Sequence, residues 1–358
     1  MNSQTDQIYL SLICLTVLFL SCKDNVLSDT ESSQQLPTFS RNSDWRLDSL
    51  DSSVPFSYQS AIWGSGPSDI YVVGSGVVRF NGFNWNVVPM HTSVGGPVYG
   101  SFGFDDVFGF SSSDVWAAGT LWLNSVRTPL LVHYNGNAWS LFPTAGNYGI
   151  SLQSIWGVSS GDVWAGGNFG LILHYDGQTW TQEDVSFHPN SGDSWYVTSF
   201  AGYKYPTPFA LISLINSTSP VEVKYLIKRV GNKWNLIDSV SSTSVRCTKL
   251  YMSPSSTLYS AGRHLSRWTG TSWQIIRQGT DDKSIFQVVA NSDDNLFILG
   301  GSVWGHSGFI EHFNGSNWVT VVSSLSNNIA ISDGFTNGSS VAGLGWDSNF
   351  RYFVVRSF

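Results

Sequence analysis

In this chain of 358 residues a glycine followed three residues later by a tryptophan recurs at a spacing of 39 to 54 residues: Gly82/Trp85, Gly136/Trp139, Gly177/Trp180, Gly231/Trp234, Gly270/Trp273 and Gly315/Trp318. Successive tryptophans are 54, 41, 54, 39 and 45 residues apart. A motif returning at that period marks a supersecondary unit copied along the chain and packed against its own copies. The clearest copy runs from Ile155-Trp156-Gly157 through Val163-Trp164-Ala165 and Leu171-Ile172-Leu173-His174-Tyr175 to Trp180. Others run from Ile62 to Trp85 and from Val107 to Trp139. Each begins with alternating apolar residues, the pattern of a strand with one face buried. A polar Ser-x-x-Asp turn follows, as in Ser111 to Asp114, and then a second apolar strand. Asn-Gly or Asp-Gly supplies the left-handed backbone of a tight hairpin, and the tryptophan opens a fourth strand. One unit therefore holds four antiparallel strands.

The ends of the chain complete the count. After Trp318, strands are predicted at Ile329-Ala330-Ile331, at Ser340 to Gly343 and from Arg351 to Phe358, with no tryptophan strand to follow. Near the start, Asp44-Trp45-Arg46-Leu47-Asp48 is a tryptophan strand with no unit before it, 40 residues ahead of Trp85. The N-terminal strand is expected to complete the last unit, which removes an exposed sheet edge. Residues 44–358 then form an all-β, seven-bladed β-propeller of four-stranded antiparallel blades at 45 residues per blade. Six or eight blades follow if an inserted segment is misread. The longer gaps place insertions of about ten residues near Trp122 to Thr128 and across 184–220.

These repeats resemble the Trp-rich β-propeller repeats of many bacterial secreted and lipoprotein chains, over 315 of the 358 residues. They are distantly similar to WD, Kelch and sialidase Asp-box propellers. Tyr175-Asp176-Gly177-Gln178-Thr179-Trp180 matches the Asp-box in part, lacking its serine and one residue of its spacing. Sequences with this repeat also carry glycosyltransferase-type labels, but no Asp-x-Asp motif or nucleotide-binding glycine loop is present here.

Ile8 to Leu20 is a run of thirteen mostly apolar residues, short of the ~20 that span a bilayer and suited to a secretion signal. It ends in Leu18-Phe19-Leu20-Ser21-Cys22, which resembles a bacterial lipobox. Phe19 departs from that pattern, and residues 1–21 contain no Lys or Arg. The alternatives are an uncleaved anchor or a mis-set start. The expected organisation is a signal peptide at 1–21, a lipidated Cys22 with a polar tether to residue 43, and the propeller at 44–358. The resemblance implies the cell envelope, with the protein held at the outer membrane or cell surface by its lipid.

Composition narrows the functions. Charged residues make up 12% and the net charge is −7 with no basic block, so nucleic acid is an unsuitable partner. Aromatics at 15%, with 16 Trp, exclude a disordered chain or a coiled coil. Of three cysteines, only Cys247 lies in the repeat region, so no disulfide or cysteine-based metal site is expected there. His133, His174 and His312 share one repeat position, as do Arg79 and Arg267, and belong to separate blades. They are expected to bond beside their own hairpins. Asp69, Asp114, Asp162 and Asp294 are read as turn formers, and Trp63, Trp116, Trp156 and Trp164 as packing between blades.

Residues that break the repeat carry the functional signal. Loops joining strands two and three share a propeller face with loops joining blades. Placed there are Tyr99, Phe102, Trp122, Tyr148, Asp193, Trp304, His306, Trp346 and Asp347. Aromatics at such tips stack on sugars or anchor proteins. His306 with Asp347 is the one candidate acid–base pair. No Gly-x-Ser-x-Gly, His-Glu-x-x-His or P-loop pattern occurs. The expected function is a monomeric, non-catalytic binding or scaffold module for a protein or glycan, without cofactor or metal. The alternatives are a carbohydrate-active enzyme at the propeller funnel and an assembly factor of an outer-membrane complex.

Overall fold

The structure is a computed structural model that describes residues 45–50, 58–90, 101–123, 125–142, 150–187, 194–203, 207–215, 222–241, 247–302, 307–323 and 329–357. The signal segment, Cys22 and the tether lie outside the described residues, as do Tyr99, Tyr148, Asp193, Trp304 and His306. Seven antiparallel sheets follow one another. Blade 1 comprises Gln59–Gly66, Asp69–Gly74, Val77–Phe80 and Trp85–Val88. Blade 2 comprises Ser101–Ser111, Asp114–Leu123, Val126–Tyr134 and Trp139–Leu141, and blade 3 comprises Leu152–Ser159, Asp162–Gly167, Ile172–Tyr175 and Trp180–Gln182. Blade 4 comprises Ser194–Ala201, Phe209–Ile215, Glu222–Val230 and Lys233–Ser241. Blade 5 comprises Cys247–Met252, Leu258–Gly262, Leu265–Trp268 and Trp273–Arg277, and blade 6 comprises Ser284–Ser292, Asn295–Gly301, Phe309–Phe313 and Trp318–Val322. Blade 7 takes Ala330–Thr336, Val341–Trp346 and Tyr352–Ser357, and its fourth strand is the N-terminal Trp45–Ser49. The first strand of each blade touches the first strand of the next, and that of blade 7 touches that of blade 1, so the ring closes.

The two insertions extend strands. The first lengthens the second hairpin of blade 2, where Leu123 pairs with Val126. The second contributes Asp184–Val185, which pairs in parallel with Lys233–Trp234 and gives blade 4 a short fifth strand at its outer edge.

The recurring Gly-x-x-Trp has a local cause. Asn81, Asn135, Asp176 and Asn314 each use a side-chain oxygen to accept the amides two and three residues ahead. The glycine inside each turn has φ between +87° and +94°, where a Cβ is disfavoured. The turn thus delivers the tryptophan directly opposite the last residue of the third strand, as in Phe80↔Trp85 and Tyr175↔Trp180.

The repeated aspartates differ from their sequence reading. Asp69, Asp114 and Asp162 open the second strand and reach sideways to the third, where they hold Arg79, His133 and His174 at 2.7, 2.8 and 2.7 Å. In blade 6 the position belongs to Asn295, which bonds His312 at 2.8 Å. Its register, Ser292↔Asn295, matches Ser111↔Asp114, so Asp294 falls one residue early in the turn. Each clamped imidazole also stacks on an aromatic of the second strand: His133 on Trp116 at 4.0 Å, His174 on Trp164 at 4.4 Å and His312 on Phe297 at 4.3 Å. The histidines are structural and remain in separate blades, as expected.

Seams between blades are interlocked by aromatic rings laid across glycines. Phe335 lies against Gly64, Trp63 against Gly109, Phe110 against Gly157 and Trp156 against Gly202, each ring coming from the preceding blade. A Cβ on Gly202 would fall 2.4 Å from the Trp156 ring. Gly202→Ala is therefore expected to cost about 1–3 kcal/mol and lower Tm by roughly 2–5 °C. Thermal melting checks this, and an unchanged Tm would mean that the seam yields freely.

Candidate functional site

The seven innermost strands enclose a central cavity of about 350 Å³. Each of them carries a bulge at the same place, ahead of Ala61, Asp106, Ser154, Ser199, Lys249, Gln287 and Asp333. A bulge re-aims the residue that follows it. Five of these seven side chains line the cavity: Asp106, Ser199, Lys249, Gln287 and Asp333. Toward the first-hairpin turns the wall becomes aromatic, with Trp63, Phe108, Trp156, Tyr251 and Phe335.

The polar ring joins blades. Asp106 accepts the Ile155 amide at 2.9 Å, Ser199 Oγ the Leu250 amide at 3.0 Å, and Asp333 Oδ2 the Ile62 amide at 3.0 Å. Each bond crosses to the next blade. Asp333 Oδ1 also accepts the Gln287 amide at 2.7 Å and lies 3.6 Å from the Lys249 ammonium. Burial pushes the Asp106 carboxyl up to about 6 against the lowering pull of Lys249. Asp105 rises to about 7 through burial and the adjacent Asp106 charge. Burial works against the Lys249 ammonium, but Asp333 and Asp106 outweigh it and its pKa is raised. These residues escaped the sequence reading. The available signal was the side-by-side Asp105-Asp106 in a strand whose other copies carry Ser60-Ala61 and Gln153-Ser154.

The predicted rim is a separate place, and none of its described members lines the cavity. Trp122 is half-buried near the tip of the long blade 2 hairpin, opposite Arg127. Trp346 ends the second strand of blade 7 and stacks on Phe350 with centroids 5.9 Å apart. Asp347 is only 1% exposed. Its carboxylate accepts the amides of Asn349 and Arg351 and pairs with the Arg351 guanidinium at 2.7 Å. Burial works against this charge, but those bonds dominate and hold its pKa below the usual carboxylate range. Asp347 therefore shapes the loop that presents Phe350.

Two rim residues were missed. Phe169 and Phe350 occupy the second-to-third strand loops of blades 3 and 7, at φ of +54° and +59°. They are 59% and 64% exposed. Phe169 is fixed by its amide bond to the Trp195 carbonyl at 2.6 Å. At Gly170, φ +67°, a Cβ would strike the Trp195 ring at 1.8 Å. Exposure at a loop tip leaves no periodic trace in sequence.

No family model and no curated protein matches this chain. Solved propellers do match. "YCF48 bound to D1 peptide" is 13% identical with a TM-score of 0.61, covering 90% of this chain and 97% of its own. YCF48 from Cyanidioschyzon merolae is 15% identical with a TM-score of 0.56, covering 88% and 98%. A chain of the mitotic checkpoint complex is 11% identical with a TM-score of 0.58, covering 92% and 98%. At these identities the likeness establishes the seven-bladed fold.

Proposed function

We propose that this propeller is a non-catalytic, protein-binding module held at a bacterial envelope surface by a lipid on Cys22, with residues 23–43 as its tether. The observation that carries the binding face is the pair of exposed phenylalanines, Phe169 and Phe350, each on left-handed backbone. Bulky residues in that conformation cost about 1–3 kcal/mol each, and such strain concentrates where function requires it. Both rings stay more than half exposed, Phe350 even with its stack on Trp346, so a partner is the natural source of compensation. Trp122 and Trp346 extend the same rim and Asp347 sets its shape, while Tyr99, Tyr148, Trp304 and His306 are assigned to it from the sequence alone. A YCF48 propeller bound to a D1 peptide supports protein over glycan as the ligand.

The test is crosslinking and affinity recovery of the full chain from its own envelope, compared with Phe169→Ser/Phe350→Ser. Loss of two anchors is expected to deplete a specific partner about tenfold or more while the Tm holds. Equal recovery by the double variant would defeat the proposed face. Palmitate labelling abolished by Cys22→Ser is expected, and label retained in that variant would defeat the lipid anchor.

The carbohydrate-active alternative draws on one observation, the raised carboxyl groups of Asp105 and Asp106 beside the cavity. Hydrolysis of aryl glycosides by the full chain, lost in Asp106→Asn, is the result that would favour it.

A further inference from the structure

The clamp on the third strand fails in two adjacent blades. Arg79 lies opposite Tyr71 and Asn86 in its sheet, Lys228 opposite Phe209 and Asn235, and Arg267 opposite Tyr259 and Gln274. The three cations thus hold one structural position. The carboxylate partner stands two residues before the second-strand member, as Asp69 does before Tyr71. In blade 4 that place is Thr207, and in blade 5 it is Thr257. Thr257 donates its hydroxyl to Asp293 at 2.7 Å, so it is already engaged. Blade 7 also lacks an acid there, but its Arg356 takes Asp48 at 2.7 Å instead.

Lys228 and Arg267 have no such replacement among the described residues. Among the described residues neither forms an ion pair. Arg267 is exposed and donates to the Gln274 side chain at 3.0 Å. The Lys228 ammonium stands 5.1 Å from the centroid of the Phe209 ring.

The seam between the same two blades also lacks the aromatic-on-glycine interlock. Blades 1 to 4 carry Gly64, Gly109, Gly157 and Gly202 at one position of the first strand, where an aromatic from the preceding blade lies. Blade 5 has Met252 there, and blade 4 offers Ala201 where blades 1 and 3 offer Trp63 and Trp156. The interlock lapses, and a recess of about 520 Å³ opens with Phe209, Met252, Trp268 and Arg267 in its wall. Its remaining lining includes Thr257, Thr269 and Gly270 from first- and third-hairpin turns, so it belongs to the face opposite Phe169 and Phe350.

We propose that this recess binds an acidic peptide segment of a partner protein. An apolar side chain fills the wall of Phe209, Met252 and Trp268, and flanking carboxylates pair with Arg267 and Lys228. The charge argument comes from the repeat itself, because blade 1 shows an arginine at this position taking a carboxylate at 2.7 Å. Arg267 in the wall and Lys228 beside the Phe209 ring that lines it, on separate blades, fit a ligand with an apolar centre and acid on both flanks.

Fluorescence anisotropy of the full chain with a labelled Glu-Glu-Phe-Leu-Glu-Glu peptide tests the site. Lys-Lys-Phe-Leu-Lys-Lys and Glu-Glu-Gly-Ser-Glu-Glu serve as comparisons. Binding of the first alone is expected, weakened about tenfold or more by Arg267→Gln and by Trp268→Ala, and reduced by salt. Phe169→Ser/Phe350→Ser is expected to bind the peptide as the parent does, which separates this site from the rim. Absent binding, equal binding of the charge-reversed peptide, or parental affinity in Arg267→Gln would overturn the proposal. Arg267 is exposed, so that variant tests charge without endangering the fold.

Discussion

Asp48→Ala is expected to lower Tm by about 5–8 °C, corresponding to roughly 3–5 kcal/mol for stripping a buried cation of its partner in a domain this size. Asp48 is carried by the N-terminal strand and joins three elements. It accepts Arg356 Nε at 2.7 Å from the neighbouring strand and Trp85 Nε1 at 3.1 Å from blade 1. The Arg356 guanidinium lies 4.1 Å above the Phe80 ring, also in blade 1. Without the carboxylate, a guanidinium side chain only 5% exposed loses this ion pair. The strand also seals two seams. Trp45 packs in a cluster with Leu299 and Ile310 of blade 6, and Leu50 in one with Ile62 and Phe80. Deleting residues 44–50 is therefore expected to abolish cooperative unfolding and expose a sheet edge that aggregates. Thermal melting and light scattering are the measurements. A deletion that still melts cooperatively at the parental temperature would show that the ring closes without this strand.

The second large effect is expected at Glu183, which fastens blade 3 to blade 4. Its carboxylate receives Trp234 Nε1 at 2.7 Å and Trp164 Nε1 at 3.3 Å. It pairs with Arg229 at 2.7 Å and His174 at 3.2 Å. Burial would raise its pKa, but these bonds prevail and bring it from 4.5 down to about 2. His174 goes the other way: burial opposes its charge, yet Glu183 and Asp162 raise it above 6.5. The signs set the pH window. The Glu183 contribution, about 3 kcal/mol, is complete above pH 4.5 and is lost as pH falls toward 2. The His174 contribution is complete below pH 6.5 and is lost as pH rises through its elevated folded value. The clasp is thus strongest between those two limits. Glu183→Gln should cost about 3–5 kcal/mol there, and its Tm should converge on the parental value as the medium is acidified below pH 4. Parallel Tm curves for parent and variant from pH 3 to 8 would contradict this account.

Much of the architecture was legible because its determinants are local. Asn81-Gly82 and Trp85 are a complete turn instruction within five residues, repeated often enough to count blades. The unmatched Trp45 strand and the three unmatched strands at the other end announced the closure, and the register Trp45↔Ser357 realises it. The clamp histidines were legible as a repeat position. Their partners were less so, because in blade 6 the same two-residue turn register puts Asn295, and not the expected Asp294, at the clamp position.

What tertiary structure decided lies at the seams and the tips. Asp333 meets the amide of Ile62 across 271 residues of chain, and Asp106 meets that of Ile155 across 49. No local pattern encodes such a pairing, because it exists only once the ring has closed and the bulges have turned those carboxylates inward. The same holds for the unclamped Lys228 and Arg267. Their threonine neighbours are visible in the chain, but only the register shows which acid is missing. Turn chemistry is settled within a few residues, whereas charge compensation and exposure depend on what the closed ring brings near.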